Sequence, residues 1–124
     1  MAVSLADLRA EQPGVFSHAC PTRTVLDHVM SRWGVLVLCT LAEGTKRWGE
    51  LRREVEAISE KMLSQTLRTL VADGLVDRHS YPMVPPHVEY RLTERGQQLV
   101  DRMMPLLEWI SVNAAEIVGD QRTP

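Results

Sequence analysis

Between Arg47 and Leu92 the chain changes its hydrophobic period once, from near 3.6 to 2, and Gly74 marks the change. Before that glycine, Trp48, Leu51 and Val55 recur at spacings of three and four. After the short link Glu56–Ala57–Ile58 the same period resumes in Met62, Leu63, Leu67, Leu70 and Val71. This predicts two short helices, Gly49–Val55 and Ser59–Asp73, in the arrangement of a helix-turn-helix. Beyond Gly74, Val88, Tyr90 and Leu92 alternate with Glu89 and Arg91, which predicts strands over Leu75–Tyr81 and His87–Leu92. Pro82, Pro85 and Pro86 fall in the loop between them, where proline removes no ladder hydrogen bond. A helix-turn-helix (about 47–73) followed at once by a β-hairpin (about 75–92) is a winged helix.

The second helix has two different faces. Ser59 suits its N-cap, since the hydroxyl can accept from a free backbone N–H. The face opposite the apolar set carries Ser59, Lys61, Ser64, Gln65 and Arg68. These donors match double-stranded DNA: Gln65 has the geometry to read an adenine edge, and Lys61 and Arg68 to hold phosphates. The alternatives are a plain solvated face, or a docking surface for another protein. Arg52 and Arg53 are expected in solvent or paired with Glu56. A net charge of −2 argues mildly against nucleic acid, but the cations are not evenly spread. They outnumber the acids by one between Thr45 and Arg91 and are outnumbered on either side. Any DNA affinity must therefore come from a local surface and fall steeply with salt.

Helices should flank this centre. Ser4 and Asp7 have the spacing of a capping box for a short helix, about 4–10, with Leu5 and Leu8 as a thin apolar stripe ended by Pro13–Gly14. Pro21 suits a first helical position, so Cys20 should cap a helix from Pro21 to about Arg32. Its buried face would be Val25, Leu26, Val29, Met30 and Trp33. Gly34 reads as a break before a central buried helix, Val35–Ala42, closed by Gly44. Thr93 should cap a long final helix, about 94–118, that Pro105 kinks or divides. Its stripe of Leu99, Met103, Leu106, Leu107, Ile110 and Ile117 is long for a small domain. With Leu5 and Leu8 it predicts a homodimer interface. The expected architecture is mainly α (α+β), one domain over residues 1–124 with dimerisation helices at both ends.

The chain has no run of about 18 apolar residues for a membrane span, and its start lacks the basic and apolar regions of a secretory signal. Two cysteines are too few for a disulfide scaffold, which points to the cytoplasm. No Cys or His spacing resembles a zinc pattern, although His18 and Cys20 could meet His79 or His87. No metal or other cofactor is expected. There is no phosphate-cradling glycine loop, nucleophile elbow or acid–base pair, so no enzyme is expected. Cys20 stands at a helix N-terminus, where the dipole favours a reactive thiolate, or it is a plain N-cap. Cys39, in an apolar helix, reads as a core thiol. Met62, Met83, Met103 and Met104 are core or interface filler, or the lining of a pocket for a small-molecule effector.

Several stretches resemble the HxlR-type winged helix-turn-helix transcriptional regulators, bacterial relatives of the MarR group. They are Cys20–Pro21, SRWGVLVLCTLAEG, RWGELRREV, ISEKMLSQTLRTLVADGLVDR, VPPHVEYRLTERG and Trp109, and together they span roughly residues 20–110. The resemblance implies a homodimer with paired recognition helices on a pseudo-palindrome, usually acting as a repressor. It adds Arg47 and, on the wing, His87 to the DNA-facing set, and it gives the Cys-Pro cysteine a role in sensing oxidants or electrophiles. The chain departs from the family pattern at His87, where arginine is typical, at Ser31–Arg32–Trp33 for Gly-Lys-Trp, and at Trp48 for Phe. A neutral histidine brings less charge to a phosphate than arginine does.

Overall fold

The computed structural model describes residues 3–120. Helices α1 (Leu5–Glu11), α2 (Pro21–Val29) and α3 (Arg32–Leu41) lead to a two-residue strand, β1 (Lys46–Arg47). The pair α4 (Trp48–Glu54) and α5 (Glu60–Ala72) follows, then β2 (Val76–Tyr81), β3 (His87–Leu92) and the long α6 (Glu94–Gly119). The strands form one antiparallel sheet with β3 in the middle, order β1-β3-β2. This is a winged helix-turn-helix built mainly of helix.

The core sits where α3, α4, α5, the sheet and the start of α6 meet. Val37, Leu38, Leu51, Leu63, Leu67, Leu70, Val76 and Val100 are fully buried in it. Leu51, Leu63, Leu67 and Leu70 come from the apolar faces that the period picks out, and Val37 and Leu38 from the central apolar helix; Val76 and Val100 lie outside the predicted sets. The caps are equally local. Ser4 and Asp7 form the expected capping box, with Ser4 Oγ accepting from the Asp7 N–H at 3.0 Å and Asp7 Oδ2 from the Ser4 N–H at 3.1 Å.

At the end of α5, Gly74 takes φ +75, the Leu75 N–H donates to the Leu70 carbonyl and the Gly74 N–H to the Val71 carbonyl. That pairing is a Schellman motif, and it needs a residue at ease in the left-handed region. Thr93 then joins three elements. Its Oγ1 donates to the Gly74 carbonyl at 2.6 Å and accepts from the Gly96 N–H at 3.0 Å, while its own N–H donates to the Leu75 carbonyl at 3.0 Å.

Four expectations are corrected. First, α2 stops at Val29 instead of running to Arg32, and α3 starts before Gly34, not after it. Ser31 caps α3 by accepting from the Gly34 N–H at 3.1 Å, and Gly34 lies buried within the helix against the His28 carbonyl. Second, Val25, Leu26 and Met30 are exposed; of the predicted α2 face only Val29 is buried, with Trp33 partly so. Third, Lys46–Arg47 is a strand pairing with Tyr90 and Glu89, so the wing sheet has three strands and not two. Fourth, Pro105 does not divide α6, which runs through it as one helix of 26 residues. The proline leaves the Asp101 carbonyl without its helical donor, at a place where the helix is exposed and water can replace it.

A Cβ at Gly96 would collide with the Leu75 carbonyl oxygen, which is backbone and cannot swing aside. Gly96→Ala is therefore expected to cost about 1–3 kcal/mol, seen in urea as a lower midpoint at unchanged slope. Gly119→Ala, where nothing lies within 4 Å, should leave the midpoint unchanged or slightly raised.

Candidate nucleic-acid interface

The turn into α5 fixes which way that helix faces. Ile58 is buried, Ala57 takes φ +71, and Ser59 Oγ accepts from the Met62 N–H at 3.1 Å. With Leu63, Leu67 and Leu70 anchored in the core, Lys61, Gln65 and Arg68 project as exposed side chains and Ser64 is half-buried beside them. These four occupy one side of the helix at spacings of three and four. Exposed Ser59 precedes them at the cap. The structure thus brings together five of the seven predicted DNA-facing residues.

Many of the other cations in this region are already paired. Lys46 Nζ lies 2.8 Å from Glu54 and 3.6 Å from Glu43, and the hydrogen bond to Glu54 raises its pKa despite desolvation. Arg52 reaches Glu60 at 3.8 Å, so it links α4 to the start of α5 instead of pairing with Glu56. Arg91 lies 3.7 Å from Asp77 on the wing. Lys61, Arg68 and Arg78, by contrast, make no ion pair among the described residues.

Arg47 is exposed, but it stands on β1 opposite Glu89, at the sheet side of the motif. His87 opens β3 opposite Tyr81, next to the proline loop. Its Nε2 is 2.7 Å from Glu89 Oε1, its ring packs edge-on to Tyr81 at 5.1 Å, and Tyr81 in turn meets His79 at 4.4 Å. A carboxylate therefore sits against this ring and offsets positive charge on this part of the wing.

Sequence reasoning missed Arg78. It pairs in register with Tyr90, on the sheet face that carries Val76, and with Ser64, Leu67, Arg68, Val71 and Tyr90 it lines an open groove of about 270 Å³. The signal was the strand register: Tyr90 points inward, so its cross-strand partner shares that face.

Cys20 is the N-cap of α2, as expected, with Pro21 at the first helical position, and it is half-exposed. The Thr22 hydroxyl beside it lowers the thiol pKa; desolvation opposes this, and backbone groups of Thr22, Phe16 and Arg23 reinforce it. Cys39 is partly buried against the core, and desolvation raises its pKa. Of the methionines, Met103 is buried and Met62 packs on the core, whereas Met83 and Met104 are exposed. Among the described residues no three His, Cys, Asp or Glu side chains converge as metal ligands.

The terminal helices carry exposed apolar surface. On α6, Leu106, Trp109, Ile110, Val112, Ile117 and Val118 are exposed, with Val112 at 74%, while Leu99 and Leu107 pack partly on the core and Met103 is inside. Leu5 on α1 is also exposed and Leu8 half-buried. Among the described residues no single helix is long and apolar enough to cross a membrane; α2 and α3 pass that test only together, across a bend of 71°.

A family model described as HxlR-like helix-turn-helix matches residues 28–117. The chain is 48% identical over 122 residues to the uncharacterized HTH-type transcriptional regulator YtfH of Escherichia coli K12, which covers 97% of this chain and 96% of the relative. A solved structure of ytfH from Salmonella typhimurium superposes with a TM-score of 0.79 at 50% identity, covering 85% of this chain and 94% of that one. The redox regulator HypR in its oxidized form superposes with a TM-score of 0.70 at 39% identity, over 76% and 97% of the two chains.

The two thiols should separate in a timed iodoacetamide reaction at neutral pH, read by peptide mass spectrometry. Cys20, with its lowered pKa, holds more thiolate and is alkylated first, and Cys39 lags. Thr22→Val raises the Cys20 pKa and slows its alkylation at that pH. At a pH well above both thiol pKa values the two Cys20 rates converge.

Proposed function

Since the chain belongs to the HxlR-like helix-turn-helix family of transcriptional regulators, we propose that it is a homodimeric repressor that binds a pseudo-palindromic operator in the cytoplasm. Helix α5 enters the major groove. The observation that carries this reading is the exposed face of α5, where Lys61, Gln65 and Arg68 project from a helix whose back is locked into the core. In this reading Gln65 reads a base edge, and Ser59, Lys61, Ser64 and Arg68 hold the backbone and set the register. Arg47 and His87 reach flanking phosphates, His87 weakly because Glu89 sits beside it. The chain acts by binding and not by catalysis.

The dimer forms through the apolar surface of α6, with Leu99, Met103, Leu106, Leu107, Ile110 and Ile117 on or behind the contact and Leu5 and Leu8 of α1 at its margin. Support comes from the exposed residues of the α6 stripe, an apolar surface that a lone chain leaves in water. Cys20 tunes the repressor. Two Cys20 thiols, one from each subunit, give up two protons and two electrons to an oxidant and join as a disulfide, which changes the spacing of the recognition helices. This draws on the lowered pKa of Cys20 and on the likeness to HypR.

The test is fluorescence anisotropy on DNA from upstream of the chain's own gene, with competitor DNA present. Wild type should bind tightly and lose affinity steeply with salt. Lys61→Glu with Arg68→Glu should weaken binding by roughly a hundredfold or more. Oxidation should weaken wild type but not Cys20→Ser; indifference to oxidant retires the cysteine switch and leaves the regulator standing. No preference over competitor would overturn operator recognition and favour α5 as a protein-docking surface. Light scattering should give twice the chain mass at micromolar concentration, and Trp109→Glu with Ile110→Glu should give the monomer. A monomeric wild type would overturn the dimer.

A further inference from the structure

Helix α2 is held to the body by little. Of its apolar side chains only Val29 is buried, and its end meets α3 where Gly34 packs on the His28 carbonyl. Between α2 and α5 runs a polar groove of about 160 Å³, with Asp27, His28 and Ser31 on one wall and Gln65, Thr66 and Thr69 on the other. Walls of this kind do not interlock as apolar side chains do, so packing alone sets the spacing of the two helices loosely. One bond crosses from α2 to the end of α5. His28 Nδ1 lies 2.8 Å from Asp73 Oδ2, the ring N–H donating to the carboxylate, and both side chains are half-buried. Among the described residues it is the one side-chain hydrogen bond that joins α2 to another helix. Asp73 is otherwise ill placed. It is the C-cap of α5, where the helix dipole disfavours an acid, and the last turn of α5 holds no cation to compensate. A partner outside the helix accounts for it, and His28 is that partner.

We propose that His28 and Asp73 are positioning residues for base reading: their bond holds the α2 wall beside Gln65 and so sets the plane of the Gln65 side-chain amide. Leu63, Leu67 and Leu70 already fix the backbone of α5 in the core, which leaves the amide plane to be set by its neighbours. A glutamine reads an adenine edge only when its amide oxygen and nitrogen both face the base. Across the groove, Asp27 and Ser31 limit the rotation of that amide, Asp27 as an acceptor for its N–H groups. His28 and Asp73 touch no base in this arrangement; they act through the spacing of the two helices. The proposal rests on the reading of Gln65 as a base contact. It makes preference for the operator, and not general affinity for DNA, depend on a bond beside the reading face.

Four variants of the full-length protein test this: His28→Ala, Asp73→Ala, the two combined, and His28→Asn, whose Nδ2 stands about where the ring Nδ1 does. The first arm contains no DNA and reads ¹H–¹⁵N spectra. Either alanine variant should move the side-chain amide signals of Gln65 and leave the backbone amides of Leu63 and Leu67 in place. The combined variant should add nothing to the single ones, and His28→Asn should restore the wild-type positions. Gln97→Ala, which loses a hydrogen bond within α6, should move none of these signals. An unmoved Gln65 amide, or a shift that His28→Asn does not reverse, would overturn the proposal. The second arm compares operator DNA with a duplex of unrelated sequence by fluorescence anisotropy. His28→Ala should weaken operator binding by roughly fivefold and leave the unrelated duplex and the salt dependence unchanged. Equal losses on both duplexes would overturn the proposal and make the bond a structural one only. A wild type with no operator preference would overturn the proposed function and the base-reading role with it. The amide shifts, measured without DNA, are independent of that failure, so the two are distinguishable.

Discussion

The Thr93 hydroxyl is the point on which the arrangement turns. It donates to Gly74 at the end of α5 and accepts from Gly96 at the start of α6, while the Thr93 N–H holds Leu75 just before β2. Three elements that face different tasks are thereby fixed to one another by three hydrogen bonds around a single residue. Gly74 is there because its φ of +75 strains any residue with a side chain, and Gly96 because a Cβ would collide with the Leu75 carbonyl oxygen. The direction of α5 relative to α6 is set here by short hydrogen bonds and not by surface charge, so it survives changes of salt that screen exposed charges.

Around that junction the electrostatics are local. A chain with net charge −2 can still offer a cationic face, because its acids are spent on particular partners. Lys46 is held by Glu54 and Glu43, Arg52 by Glu60, Arg91 by Asp77 and His87 by Glu89. The cations left without an ion pair among the described residues include Lys61 and Arg68 on α5 and Arg78 on the adjoining strand. Exposed pairs of this kind contribute little to stability. Their effect is to decide where positive charge remains.

How much of this was legible follows the range of each interaction. The extents of α5, β2, β3 and α6 could be read almost to the residue, because period, cap and stop signal all lie within a few positions of one another. Strand β1 could not: two residues carry no period, and Lys46–Arg47 becomes a strand only through pairing with Tyr90 and Glu89 more than forty positions away. The α2–α3 boundary was misplaced because Gly34 was read for its flexibility, whereas Ser31 supplied the cap and Gly34 the close packing. Val25, Leu26 and Met30 form an apolar face by period, but period cannot say whether one chain covers that face. Arg78 escaped because its neighbours on β2 are polar; only the register opposite Tyr90 turns it towards the groove. The polar face of α5 and the place of Cys20 at the start of α2 were legible from residue type and helical position, and the geometry supplies their neighbours.

Helix α6 has a property that neither its cap nor its stripe expresses. Its buried residues, Gly96, Val100 and Met103, all fall within its first ten positions, and beyond Leu107, which packs partly on the core, most of the helix is exposed. At about 1.5 Å per residue, 26 residues make a rod of about 39 Å. In the proposed twofold pair, a tilt of about 5° about the far tip of that rod displaces the near end by about 3.4 Å, one base-pair step along a DNA strand. The helix is then a lever: adjustments too small to repack any core are magnified into a whole step of misregister between two reading heads.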